Sequence, residues 1–103
     1  MEEKEVIWTN SAKKQLFSIM DYYAKRNKSD VYSLKLESNI KEKIKSINLK
    51  IALPQKTGVE NLFYFTFNHI ATFFSIQNSI ITVKLVIDER RNPKRINKLI
   101  SNS

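Results

Sequence analysis

The sequence predicts an α+β domain: a helical hairpin packed on one face of an antiparallel sheet, in the order β-α-α-β-β-β with a short C-terminal helix. Three observations predict it. Apolar residues recur every three or four positions from Ala12 to Tyr23 and again from Leu36 to Ile47, the period of a helix with one buried face. After Thr57, three apolar runs are separated by only two residues each, which is hairpin spacing. The 103 residues contain no internal repeat or low-complexity linker, so a single domain spanning 1–103 is expected.

Taken in order, Glu5-Val6-Ile7-Trp8 reads as a short strand with Trp8 in the core, and Thr9-Asn10-Ser11 offers N-caps for the helix that follows. That helix buries Ala12, Leu16, Ile19, Met20 and Tyr23, carries Tyr22 on its flank and Lys13, Lys14, Asp21 and Lys25 outside, and ends near Arg26 and Asn27. Ser29 and Asp30 open a second helix with Leu36, Ile40, Ile44, Ile47 and Ile51 inside. Its lysines, Lys35, Lys41, Lys43, Lys45 and Lys50, read as solvated. Pro54 sets its end near Leu53, because proline disfavours helical geometry in the residue before it. Gly58, the only glycine, is expected to supply a positive φ in the turn into the sheet.

Strands are expected at 60–67, 70–77 and 80–87, joined by Asn68-His69 and Asn78-Ser79. Two-residue turns fix the register. Phe67 then pairs with Ile70, Phe65 with Thr72 and Phe63 with Phe74; Ile76 pairs with Ile81, Phe74 with Val83 and Thr72 with Leu85. That face is nearly all apolar and is expected to receive the helices. The opposite, more open face collects Leu62, Tyr64, Thr66, Ala71, Phe73, Ser75, Thr82, Lys84 and Val86. A slip of one residue would exchange the faces, so the segregation supports the hairpins. Beyond Pro93, Ile96, Leu99 and Ile100 have helical spacing.

A net charge of +8 and a pI near 9.8 point to an anionic partner. With no cysteine, disulfides and thiolate chemistry are excluded, and a single histidine with scattered carboxylates gives no metal-ligand spacing. No metal and no cofactor are expected. The acidic start, Met1-Glu2-Glu3-Lys4-Glu5, does not read as a signal peptide, and no apolar run approaches the roughly 20 residues of a membrane span. A cytoplasmic protein that makes no membrane contact is expected.

Three of the four arginines fall in Asp88-Glu89-Arg90-Arg91-Asn92-Pro93-Lys94-Arg95, directly after the last strand. Guanidinium groups at a strand end can present a fixed fork to phosphate or carboxylate. Arg90, Arg91, Lys94 and Arg95, with Lys84 beside them, are therefore candidate target-binding residues, although a basic run by itself reads more readily as solvated surface. Tyr64, Phe73 and Lys84 come together on the open face, as a stacking platform, as a groove for a partner's apolar side chains, or equally as ordinary cross-strand packing. His69 reads as a turn residue, exposed and remote from the tail arginines.

The chain resembles the RelE/ParE superfamily of bacterial toxins from type II toxin–antitoxin modules. The matching stretches are Ile7-Trp8-Thr9 before Ala12, Leu16, Ile19 and Tyr23; the turn from Pro54 to Gly58; and Leu85-Val86-Ile87 running into Arg90-Arg91-Asn92-Pro93. The helical hairpin and the Arg-Arg-Asn-Pro ending are most similar to the ParE-type, plasmid-stabilisation branch. The resemblance implies a growth-inhibiting toxin held inactive by a cognate antitoxin, and an attack on DNA gyrase. RelE-like relatives instead cleave messenger RNA on the ribosome, and a third alternative is a non-toxic binding module of the same fold. Metal-free RNA cleavage needs cations for the phosphorane and proton-transfer groups. Between Thr57 and Val83 there is no lysine or arginine, a departure from the ribonuclease pattern. A ribonuclease site would have to be assembled from Arg90, Arg91, Lys84 and Tyr64.

Overall fold

The computed structural model describes residues 4–91 and Lys94. Its elements are β1 (Glu5–Trp8), α1 (Asn10–Asn27), α2 (Val31–Asn48), β2 (Gln55–Lys56), β3 (Leu62–Phe67), β4 (Ile70–Gln77) and β5 (Ile80–Asp88). The expected order is present, and the expected terminal helix around Ile96, Leu99 and Ile100 lies outside the described residues. The strands form one sheet in the order β1-β5-β4-β3-β2. β1 joins β5 in parallel while the other pairs are antiparallel, so the sheet is mixed.

Both helices show their expected inner faces, Ala12, Leu16, Ile19 and Tyr23 on α1 and Leu36, Ile40, Ile44 and Ile47 on α2. These residues form the main core with Phe65, Ile70, Phe74, Ile81, Val83 and Val86, and Trp8 packs against it. Thr9 caps α1, its hydroxyl accepting from the Ala12 N–H at 3.0 Å. The two helices are tied to each other where the Ser33 hydroxyl donates to the Met20 carbonyl at 2.6 Å. Asn48, at the end of α2, is held to the backbone N–H and carbonyl of Lys4 at 2.7 and 2.8 Å, which fixes the start of β1.

The second helix stops at Asn48, earlier than Pro54 would impose. Lys50 takes a left-handed conformation, φ 60°, and the Ile51 N–H turns back to the Ser46 carbonyl at 2.8 Å while the Lys50 N–H reaches Ile47. This pair of bonds satisfies the orphan carbonyls of the last turn, and α1 ends in the same way at Lys28, φ 54°. Glycine usually fills that position, so lysine there left no visible signal. Ile51 consequently leaves the inner face and is 76% exposed.

Gly58 does not take positive φ. In that turn the left-handed residue is Asn61, φ 62°, and the Thr57 hydroxyl organises the chain by accepting from the Val59 N–H and donating to the Leu62 carbonyl. The turn shortens the expected strand at 60–67 to Leu62–Phe67, and the two residues of β2 form an edge that the sequence did not reveal.

The two hairpins are as expected. Asn68 and His69 both have positive φ, as do Asn78 and Ser79, the signature of type I′ turns. The β3–β4 register matches throughout, and the β4–β5 register matches from Gln77–Ile80 to Phe74–Val83. There a β-bulge intervenes. Phe73 pairs with Leu85, leaving Lys84 as the extra residue, and Thr72 pairs with Val86 instead of Leu85. One inserted residue sends everything beyond it to the opposite face. Val86 therefore enters the main core, whereas Leu85 and Ile87 pass to the second face.

The centre of that second face is buried, while Thr66 and Lys84 stay exposed. Tyr64, Ala71, Phe73 and Ile87 form a second buried cluster, with Leu62 and Leu85 at its edge. The bulge supplies two of these apolar side chains.

Thr72 is fully buried, and its hydroxyl finds no hydrogen-bond partner among the described residues. A buried unpaired hydroxyl costs its desolvation energy. Thr72→Val, nearly isosteric, is expected to raise stability by about 1 kcal/mol in a denaturant titration.

Candidate functional site

The end of β5 is anchored by a buried carboxylate. Asp88, 1% exposed, accepts a 2.6 Å hydrogen bond from the Tyr23 hydroxyl at one oxygen and a 3.0 Å bond from the Arg90 N–H at the other. The second bond closes an Asx turn, and the Arg91 N–H adds a bond to the Asp88 carbonyl at 3.1 Å. The backbone that presents Arg90 and Arg91 is thus fixed to α1.

The anchor has an aromatic support. The Tyr23 ring meets Tyr22 edge-on at 5.0 Å and Tyr32 at 5.3 Å, joining the end of α1 to the start of α2. Arg91 lies over the exposed face of Tyr22, its guanidinium carbon 4.1 Å from the ring centre. Further along α1, the Gln15 side chain accepts from the Val86 N–H at 2.8 Å. β1 ends at Trp8, opposite Val83, so this bond satisfies a strand-edge group that β1 does not reach.

Burial pushes the Tyr23 phenol up, and the Asp88 hydrogen bond and carboxylate charge act in the same direction, raising its pKa from 10.0 to about 12. Because the folded state favours the protonated phenol, this contribution is fully present below pH 10 and is lost as pH rises to 12. Tyr23→Phe should be less stable than the parent by about 1–3 kcal/mol near neutrality, since one oxygen of the buried Asp88 carboxylate loses its donor. Denaturant titrations across the alkaline range should show that difference shrinking between the two pKa values. A constant difference would refute the coupling.

The structure gathers more cations around the tail than the sequence suggested. Arg91 faces Lys14 across one depression and Lys25 and Arg26 across another, while Arg26 and Arg90 share a third. Among the described residues Lys25 is paired with Asp21, at 3.0 Å, whereas Lys14, Arg26, Arg90 and Arg91 have no ion-pair partner. The result is a set of cations grouped between α1 and the start of the tail.

The other predicted residues separate into groups. Arg90, Arg91 and Lys94 are exposed, and Arg95 lies outside the described residues. Lys84 is exposed on the bulge, about 13 Å of strand before Asp88, and does not join the tail cluster. Tyr64 and Phe73 are neighbours as expected, their rings stacked at 5.4 Å, but Phe73 is 0% exposed and Tyr64 is also buried. They form packing, not an accessible platform. His69 is exposed in its turn, yet it is not remote from the arginines: its carbonyl accepts from Glu89, its ring nitrogen lies 3.9 Å from the Glu89 carboxylate, and it shares a pocket with Arg90. Asp88, Tyr23 and Arg26 were missed as site residues. The hairpin register would have revealed the His69 neighbourhood, since it brings the β3–β4 turn beside the end of β5.

These features define a small α+β fold with a basic, tyrosine-supported edge. No family model and no curated protein matches the chain significantly. A chain of the solved "Chromosomal ParDE TA system from P. aeruginosa" is similar in structure, with a TM-score of 0.70, 18% identity, and coverage of 84% of this chain and 96% of that one. At that identity the likeness establishes the fold. No helix among the described residues is long and apolar enough to cross a membrane.

Proposed function

We propose that the chain is the toxin of a type II toxin–antitoxin module, neutralised by a cognate antitoxin, and that it acts in the cytoplasm by contact with DNA gyrase. The fold shared with a chain of a ParDE system supports the module. The position of the cations supports contact over RNA cleavage: Arg90 and Arg91 stand with Arg26 and Lys14 on the α1 side, whereas Tyr64 is buried and Lys84 stands apart on β5. Arg90, Arg91 and Lys94, with Arg95 following in sequence, form the target contact. The antitoxin is expected to bring acidic residues to this +8 chain. Induced expression should arrest growth, and co-expression of the product of an adjacent short reading frame should restore it. Normal growth on induction of the folded protein would leave a non-toxic binding module as the function of this fold.

A further inference from the structure

The tips of α1 and α2, the β3–β4 turn and the start of the tail line an open cavity of about 410 Å³ at the surface. Five of its seven lining residues carry nitrogen donors: Arg26, Arg90, His69, Asn27 and Asn68. Tyr23 and Tyr32 complete the wall. Three regions distant in sequence converge here, held in place by bonds already described: Tyr23 to Asp88, Asp88 to the Arg90 backbone, and Glu89 to His69.

We propose that this cavity is a phosphate site that takes the terminal phosphate monoester of a nucleotide or of a nucleic-acid end. The charge and the donor count select this chemistry. Neither Arg26 nor Arg90 has an ion-pair partner among the described residues, so both guanidinium groups are available to a ligand. A phosphate monoester carries about −1.5 to −2 at neutral pH and three terminal oxygens, and so can accept from donors on several walls at once. A carboxylate is satisfied by a single guanidinium fork and would leave the second arginine uncompensated. The nearby carboxylates are already engaged: Asp88 accepts from the Tyr23 hydroxyl and the Arg90 N–H, and Glu89 stands 3.9 Å from His69. The volume lies within the range of small-ligand pockets and exceeds what phosphate alone requires.

This inference goes beyond the proposed toxin function and is tested without any toxicity readout. Calorimetric titrations of the full chain should use inorganic phosphate, adenosine 5′-monophosphate, adenosine, an acidic glutamate peptide, and one short oligonucleotide with either a 5′-phosphate or a 5′-hydroxyl. Saturable binding of phosphate and of the monophosphate is expected, with none by adenosine. Arg26→Gln and Arg90→Gln should each weaken it about tenfold to a hundredfold, while Lys43→Gln, exposed on α2, should not. A preference for the 5′-phosphorylated oligonucleotide would assign the site to strand ends, and binding of the monophosphate without the oligonucleotide to free nucleotides. Several results would overturn the proposal: no saturable phosphate binding at 10 mM, an unchanged affinity in both arginine variants with native melting curves, equal binding of the two oligonucleotides, or tighter binding of the peptide than of the monophosphate.

Discussion

A chain carrying both Arg90→Ala and Arg91→Ala is expected to lose growth inhibition while remaining folded. The two effects separate because the substitution removes side chains and leaves the anchor intact. The Arg90 N–H still reaches the Asp88 carboxylate, and Asp88 still accepts from Tyr23. What is lost structurally is the Arg91 contact over Tyr22, which at an exposed site contributes about 0.5–1 kcal/mol. Plating after induction measures the first effect and a thermal melt the second. The double lysine variant should recover part of the inhibition, since ammonium keeps the charge and loses the planar fork. Full toxicity of the double-alanine chain would remove the tail from the active surface and shift attention to Lys14, Lys25 and Arg26 on α1.

Phe74→Ala should produce the largest loss of stability, roughly 3–5 kcal/mol, because it removes a buried ring and leaves a cavity that the sheet cannot fill. Phe74 is 1% exposed, and its ring lies 6.1 Å from those of both Phe63 and Phe65. It also sits at the last regular pair before the bulge, where repacking is constrained from both sides. Domains of this size have about 5–15 kcal/mol of total stability, so the variant should be largely unfolded in mild denaturant. A shift below about 1 kcal/mol in a urea titration would place Phe74 outside the packed centre.

The parts of the fold legible in the sequence were those governed by periodicity and turn length. The inner faces of α1 and α2 follow from spacing alone, and the two-residue linkers fixed the hairpin register up to Val83. The bulge was not legible, because one inserted residue leaves the apolar pattern intact: Leu85, Val86 and Ile87 are all apolar and fit either face. The helix ends at Lys28 and Lys50 were hidden for a different reason, since they use left-handed lysines where glycine is the usual marker. The parallel pairing of β1 with β5 is a long-range contact with no local signal.

The candidate site was legible only in its exposed half. Arg90 and Arg91 announce themselves as a basic pair after a strand, whereas their support comes from residues that read as core, helix end and turn. Tyr23 carries the same helical spacing as Leu16 and Ile19, and only its hydroxyl distinguishes it. Asp88 read as the first residue of a charged tail, yet it is among the most buried residues of the molecule. A carboxylate that close to an apolar strand end needs a donor, and the nearest buried phenol supplies it.

The most direct measurement of the central claim is a pair of reactions with the purified chain: supercoiled DNA with gyrase and ATP, and messenger RNA on purified ribosomes. A gyrase toxin should yield double-strand breaks that require both gyrase and the chain, that vanish with the Arg90→Ala, Arg91→Ala variant, and that are suppressed by the antitoxin, while the messenger RNA stays whole. Cut messenger RNA in the ribosome reaction, with no gyrase-dependent breaks, would contradict the account and make the chain a ribonuclease.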